Sequence, residues 1–131
     1  FECYLYNTLD DIATLIETVD HPNLQMIYDT HHAHIEEKDV SKVIQRHQER
    51  IKHVHISESD RGTPGSGQVR WDETFHELKK MGYDGWLTIE AFSRHNPEFA
   101  SGINVWRNFE DTTDEIYIDG LAFIKEIWNR Y

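Results

Sequence analysis

Three runs of β-forming residues each close on a side chain that can bind a metal or move a proton. Leu24–Asp29 ends in Asp29, Ile51–His55 in His55, and Trp86–Glu90 in Glu90. A polar loop and then a helical pattern follow each run. Short strands alternating with helices of about ten residues predict an α/β fold, a parallel sheet with crossover helices. In a parallel α/β barrel the strand C-termini converge on one face, and that face is where chemistry sits. Two carboxylates and an imidazole meeting there suit a divalent cation that takes oxygen and nitrogen ligands.

The rest of the chain keeps the same rhythm. Phe1–Leu5 reads as the tail of a strand. Thr8 followed by Asp11 resembles a capping box with Asp in place of Glu, and Ile12, Leu15, Ile16 and Val19 then form an apolar helical stripe. His21-Pro22-Asn23 turns into the strand that ends at Asp29. A second helix is expected from Asp39 to His47, with Val40, Val43 and Ile44 inward. A long loop, Ser57 to Gln68, holds three of the seven glycines. A third helix, Trp71 to Lys80, places Trp71, Phe75 and Leu78 on one face, and Met81–Gly85 reads as its C-cap and turn. After Glu90 a loop runs to about Asp111. A last helix, roughly Thr113 to Asn129, carries Ile116, Leu121, Ile124 and Trp128. No composition shift marks a second domain, so residues 1–131 read as one unit. Three full strands and one partial strand make half of an eight-stranded barrel. An open piece of that size leaves edges and an inner apolar face uncovered. The expectation is the C-terminal half of a (β/α)8 TIM barrel.

Charge and cysteine usage exclude several classes. The 24 acidic residues against 13 basic ones give a formal net charge of −11. That balance argues against nucleic acid, whose phosphates attract basic faces. The single Cys3 precludes an intramolecular disulfide and fits a reducing, cytoplasmic compartment. There is no apolar run of about 18 residues to span a membrane, and the opening residues lack the charged and apolar regions of a signal peptide. A start without Met suggests that Phe1 is not a natural N-terminus.

Each candidate residue has a duller alternative. Asp29 can cap a helix or shape a turn. His53 and His55 point the same way along one strand, so one of the two is expected to be structural. Glu90 lies between Ile89 and Ala91-Phe92, an apolar setting in which an acid needs a partner. Arg61 can be an exposed loop cation. Gly62–Gly67 matches neither a P-loop nor a dinucleotide fingerprint, but such a loop can approach a ligand closely or act as a hinge. Glu36–Asp39 reads as a helix entrance with acids at its positive end. His31, His32 and His34 crowd what reads as a loop.

Phe1-Glu2, Leu5-Tyr6-Asn7-Thr8, Tyr28-Asp29-Thr30-His31-His32, Ile35-Glu36-Glu37, His53-Val54-His55, Asp60-Arg61, Pro64-Gly65-Ser66-Gly67 and Met81–Gly85 occur in an order and spacing that together resemble the ketose 3-epimerases. These are the tagatose/psicose 3-epimerase group of the xylose-isomerase-like TIM barrels. The resemblance spans nearly the whole chain and weakens after about Phe92. It implies one divalent metal, manganese first, with cobalt or magnesium as alternatives. The implied ligands are Asp29, His55 and Glu90, and the fourth, a Glu, would precede Phe1. Glu2, His32 and Arg61 match the residues that hold the C1 and C2 oxygens of a ketose. The resemblance further implies a small-molecule ketose as substrate, the N-terminal half of the barrel as partner, and a homo-oligomer.

Epimerising carbon 3 of a ketose removes a proton beside the C2 carbonyl and returns it on the opposite face. That calls for two bases, and tuned carboxylates serve. Glu90 is the implied catalytic base on one side, and the upstream Glu the other. The sequence also departs from the group's usual pattern. His31 replaces a Phe, His34 stands where Asn is common, and Ala91-Phe92 replaces a Pro-Phe pair. These departures keep other reactions on the same frame open: an aldose-ketose or hydroxypyruvate-type isomerase, or an inosose-dehydratase-like enzyme. A zinc endonuclease would need more ligands and a basic face. A half-barrel alone, short of one ligand and one base, would be inactive.

Overall fold

The computed structural model describes residues 4–131. Helix α1 (Leu9–Val19) leads to strand β1 (Met26–Asp29), followed by α2 (Thr30–Glu36), α3 (Val40–His47), β2 (Ile51–Ile56), α4 (Trp71–Lys80), β3 (Leu87–Ile89), α5 (Pro97–Gly102) and α6 (Thr113–Arg130). The three strands form a parallel sheet in the order β1-β2-β3. A parallel sheet with crossover helices agrees with the expected α/β architecture. The partial strand expected at Phe1–Leu5 falls largely outside the described residues, and Tyr4 and Leu5 are not in a strand.

Local chemistry accounts for the element ends. Thr8 and Asp11 form the reciprocal box: the Asp11 amide donates to the Thr8 hydroxyl at 3.2 Å, and the Thr8 amide donates to the Asp11 carboxylate at 3.0 Å. Asp39 caps α3 through the Lys42 amide. The expected stripe on α1 is only partly covered. Ala13 is buried, Leu9, Ile12 and Ile16 rest against the rim of the core, and Val19 is exposed. On α6 the buried positions are Ile116, Gly120, Ile124 and Ile127, whereas Leu121 is exposed. Gly120 takes the inward phase because a Cβ there would lie 3.0 Å from the ring of Pro64.

Two segments expected as loops contain helices. His31, His32 and His34 sit on α2, and α5 interrupts the run after Glu90. Asn96 caps α5, and Pro97 fills its first turn.

Among the described residues, the helices bury one face of the sheet and leave the other largely open. Met26, Tyr28, Val54 and Ile56 point into a core closed by Val40 and Ile44 of α3, Phe75 and Leu78 of α4, and Ile124 and Ile127 of α6. Ile27, Asp29, His53, His55 and Thr88 alternate to the other face. Ile27 there is 53% exposed. In a complete barrel this face points inward and is filled by side chains from all eight strands.

Candidate metal centre

Strand register builds the site. Asp29 pairs with His55 across β1 and β2, and Glu90 follows β3 directly, its amide donating to the Ile56 carbonyl at 2.9 Å. The three side chains therefore leave neighbouring strands at one level and on one face. Each offers a ligand atom within 4.8 Å of the other two. His55 Nδ1 stands 2.7 Å from Glu90 Oε2 and 3.5 Å from Asp29 Oδ2.

These separations test whether a cation fits. Ligands held at roughly 2.0–2.6 Å and at right angles about one ion lie about 2.8–3.7 Å apart. The His55–Asp29 edge falls within that span, and the His55–Glu90 edge just under it. Two carboxylates and one imidazole form a donor set for a hard or borderline divalent ion. The side chains are partly withdrawn from water, at 11%, 29% and 27% exposure for Asp29, His55 and Glu90. This trio can hold a metal ion.

Asp29 serves two ends at once. Its Oδ1 accepts from the amides of His31 and His32 at 2.8 and 3.1 Å, which makes it the N-cap of α2. Its Oδ2 faces His55. Capping leaves Oδ2 available to a cation, because it uses the other oxygen. His53 does not join the cluster. Its Nε2 lies 3.2 Å from the Thr88 hydroxyl, one residue pair further from the strand ends.

Arg61 is not an exposed loop cation. It is 9% exposed, and its Nη1 donates to Glu90 Oε1 at 3.2 Å while its Nη2 donates to His32 Nε2 at 3.3 Å. Its guanidinium stands 5.3 Å from the centre of the Phe92 ring. Arg61 adopts a left-handed backbone (φ 68°), with its amide bonded to the Glu58 carbonyl and its own carbonyl to the Phe92 amide. His32, Asp29, His55 and Glu90 share a cavity of about 420 Å³ with Asn7, Ile12 and Glu37. Arg61 lines a neighbouring cavity of about 900 Å³ that includes Glu90 and Phe92. Glu90 is common to both. Glu2 lies outside the described residues.

One structural residue near the site carries no local sequence signal. Glu58 is fully buried two residues after β2. Its Oε1 accepts from the amides of Ser59 (2.7 Å) and Val69 (3.1 Å), and its Oε2 from the Gly65 amide (3.0 Å) and the Trp71 indole (2.9 Å). Burial pushes this carboxyl up, but the surrounding donors outweigh it and hold it below its usual range. Glu58 thereby ties the glycine loop to the start of α4. Gly67 is needed for this, because a Cβ there would come within 2.6 Å of the Glu58 carboxylate. Only folding reveals that the loop's donors close around this residue.

A family model described as the xylose isomerase-like TIM barrel matches residues 1–127. The chain belongs to the xylose isomerase-like TIM barrel family. It is 37% identical over 128 residues to a probable ketose 3-epimerase of Synechocystis sp., an alignment covering 98% of this chain and 45% of that protein. It is 34% identical over 131 residues to the D-psicose 3-epimerase of Ruminiclostridium cellulolyticum, covering 100% and 45%. Among solved structures it is similar to the Methylomonas sp. D-allulose 3-epimerase in complex with D-allulose, with a TM-score of 0.86 and 34% identity over 93% of this chain and 43% of that one. The chain spans less than half the length of each of these relatives. Among the described residues, no helix is long and apolar enough to cross a membrane.

Proposed function

We propose that this chain is the C-terminal half of a divalent-cation-dependent ketose 3-epimerase, and that residues 1–131 form one α/β unit completed by the N-terminal half of the barrel. The observation that carries this reading is the meeting of Asp29, His55 and Glu90, with the His32–Arg61 pair bonded to Glu90 beside them. The relatives named as ketose and psicose 3-epimerases support the substrate class.

Asp29, His55 and Glu90 would hold the cation, with Mn2+ the first choice and Co2+ or Mg2+ as alternatives. When bound, the ion supplies positive charge next to the sugar oxygens that become more negative as C3 loses its proton. Glu90 takes the C3 proton on one face: the C–H bond breaks, its electrons move toward the C2 carbonyl, and the proton stays on the carboxylate. A second carboxyl group from the upstream half, protonated at the outset, gives its proton to C3 on the opposite face: the electrons return from the C2 oxygen to form the new C–H bond, and that group is left as a carboxylate. Arg61 donates to substrate oxygens from a fixed position, held by Glu90 and its backbone bonds. His32 and Glu2 hold the C1 and C2 end. The single Cys3 supports a cytoplasmic setting, and the uncovered face of the sheet supports assembly with further chain.

Deuterated water decides the reaction. Full-length protein supplied with Mn2+ and fructose or tagatose should return ketose labelled at carbon 3, together with its 3-epimer. Label at carbon 1 with aldose accumulating would mean that an aldose-ketose isomerase is the right reading. Residues 1–131 alone should be inactive, because they supply one of the two faces.

A further inference from the structure

The two sides of the site belong to different segments. Asp29 and His32 sit at the start of α2, whereas His55 and Arg61 sit on β2 and the loop after it. Strand pairing aligns Asp29 with His55 but ends at that level. Beyond it, two side chains join the segments. The Thr30 hydroxyl donates to the Ser57 carbonyl at 2.6 Å and accepts from the Ser57 amide at 2.8 Å. His31 Nδ1 donates to the Glu58 carbonyl at 2.9 Å, the same carbonyl that receives the Arg61 amide at 3.0 Å. Thr30, His31, Ser57 and Glu58 are all buried.

We infer that Thr30 and His31 are positioning residues: together they staple the first turn of α2 to Ser57-Glu58 and so set Asp29 against His55, and His32 against Arg61. This inference rests on the metal-centre reading above. Thr30 continues the strand pairing by one step, using a side chain that both donates and accepts where the backbone of a helix has turned away. Its neighbour in sequence is Asp29, and Ser57 lies two residues past His55. A shift at this bond therefore moves one ligand relative to another. His31 acts one step further out. It fixes the carbonyl on which the left-handed turn at Arg61 hangs, and its ring meets that of His32 edge-on at 5.4 Å. The two bonds thus govern different properties, Thr30 the cation and His31 the sugar. Buried hydrogen bonds in such networks hold geometry to the tolerance that ligation and substrate contact require.

The test uses the full-length protein and two pairs of variants. Thr30→Val keeps the shape and removes both bonds, and Thr30→Ser keeps them. His31→Phe keeps a ring and removes the donor, and His31→Asn keeps a donor. Mn2+ affinity is read by calorimetry on the metal-free protein, and KM and kcat are read separately at saturating Mn2+. Thr30→Val should weaken Mn2+ binding about 10-fold or more, with Thr30→Ser near wild type, in line with losses on removing groups that orient ligands. His31→Phe should raise KM several-fold while Mn2+ affinity stays within about 2-fold, with His31→Asn recovering most of the loss. Wild-type Mn2+ affinity and KM in Thr30→Val and His31→Phe would overturn the staple while leaving the metal centre standing. Equal losses in Thr30→Val and Thr30→Ser would also overturn it. If Thr30→Val does not fold, the His31 pair decides: a KM change that His31→Asn fails to recover counts against the inference. Wild-type protein that binds no Mn2+ would overturn the metal centre itself, and this inference with it.

Discussion

Asp29 and His55 face each other across parallel strands, with Oδ2 of the first 3.5 Å from Nδ1 of the second, while Oδ1 of the same carboxylate caps a helix. One side chain thus joins a capping role to the proposed ligand role, and substitution separates them. Asp29→Asn retains a capping oxygen and should cost little stability, whereas Asp29→Ala should cost about 0.5–2 kcal/mol in denaturant unfolding of the metal-free protein. Both should weaken Mn2+ binding strongly. Calorimetric titration alongside urea unfolding checks the pair. Tight Mn2+ binding by Asp29→Ala would remove Asp29 from the ligand set.

Arg61→Ala should weaken ketose binding and leave metal content intact. Hydrogen bonds to charged groups contribute about 1.5–3 kcal/mol, so KM should rise roughly 10-fold or more. Metal content by elemental analysis and KM by initial rates test this together. Loss of the ion from Arg61→Ala would instead give Arg61 a structural role, exerted through its bond to Glu90.

Glu90→Gln keeps the side-chain shape but removes the charge of a proposed ligand and the proposed base together. Epimerase activity at saturating Mn2+ should fall by about 100-fold or more. Retention of most activity in that variant would exclude Glu90 as the base.

Glu58 should make part of the protein's stability depend on pH. Its carboxyl is held below the ordinary value of 4.5 by buried donors. A depressed carboxyl stabilises the fold fully above the unfolded value, and that contribution drains away as pH falls through the lower folded value. Glu58→Gln leaves donors facing an NH2 group and should cost about 1–3 kcal/mol at pH 7. The gap between wild type and Glu58→Gln should then narrow below about pH 4.5. Urea unfolding at pH 7 and at successively lower pH measures it; a gap that stays constant would mean the charge is not what the donors stabilise.

Phe75 is fully buried among Trp71, Phe123 and Trp128. Phe75→Ala should destabilise by about 3–5 kcal/mol, because a large buried ring leaves a cavity that its neighbours cannot close. Differential scanning calorimetry should show a clearly lowered melting midpoint.

Much of this was legible in the residues. The strands with Asp29, His55 and Glu90 at or next to their C-terminal ends, the box at Thr8 and Asp11, and the inward face of α4 all follow from local rules: period-two alternation, capping chemistry and helical spacing. Asp29 followed by Thr30 carried a helix-start signal, but three histidines in the next five positions masked it, since histidine is a weak helix former. That Gly120 rather than Leu121 faces inward on α6 has no local signature, because hydrophobicity alone cannot foresee that Pro64 comes within 3.0 Å of where a Cβ at Gly120 would lie. What the sequence by itself determined was which segments become strands and helices and which side chains stand at strand ends. Only the tertiary structure decided that Arg61 is buried against Glu90, that His53 turns to Thr88 while His55 meets the carboxylates as the resemblance implied, and that Thr30, His31 and Glu58 tie the site's segments together. The reason is physical: propensity and periodicity act within a few residues, whereas strand register and buried hydrogen bonds join atoms that lie tens of residues apart and have no local signature.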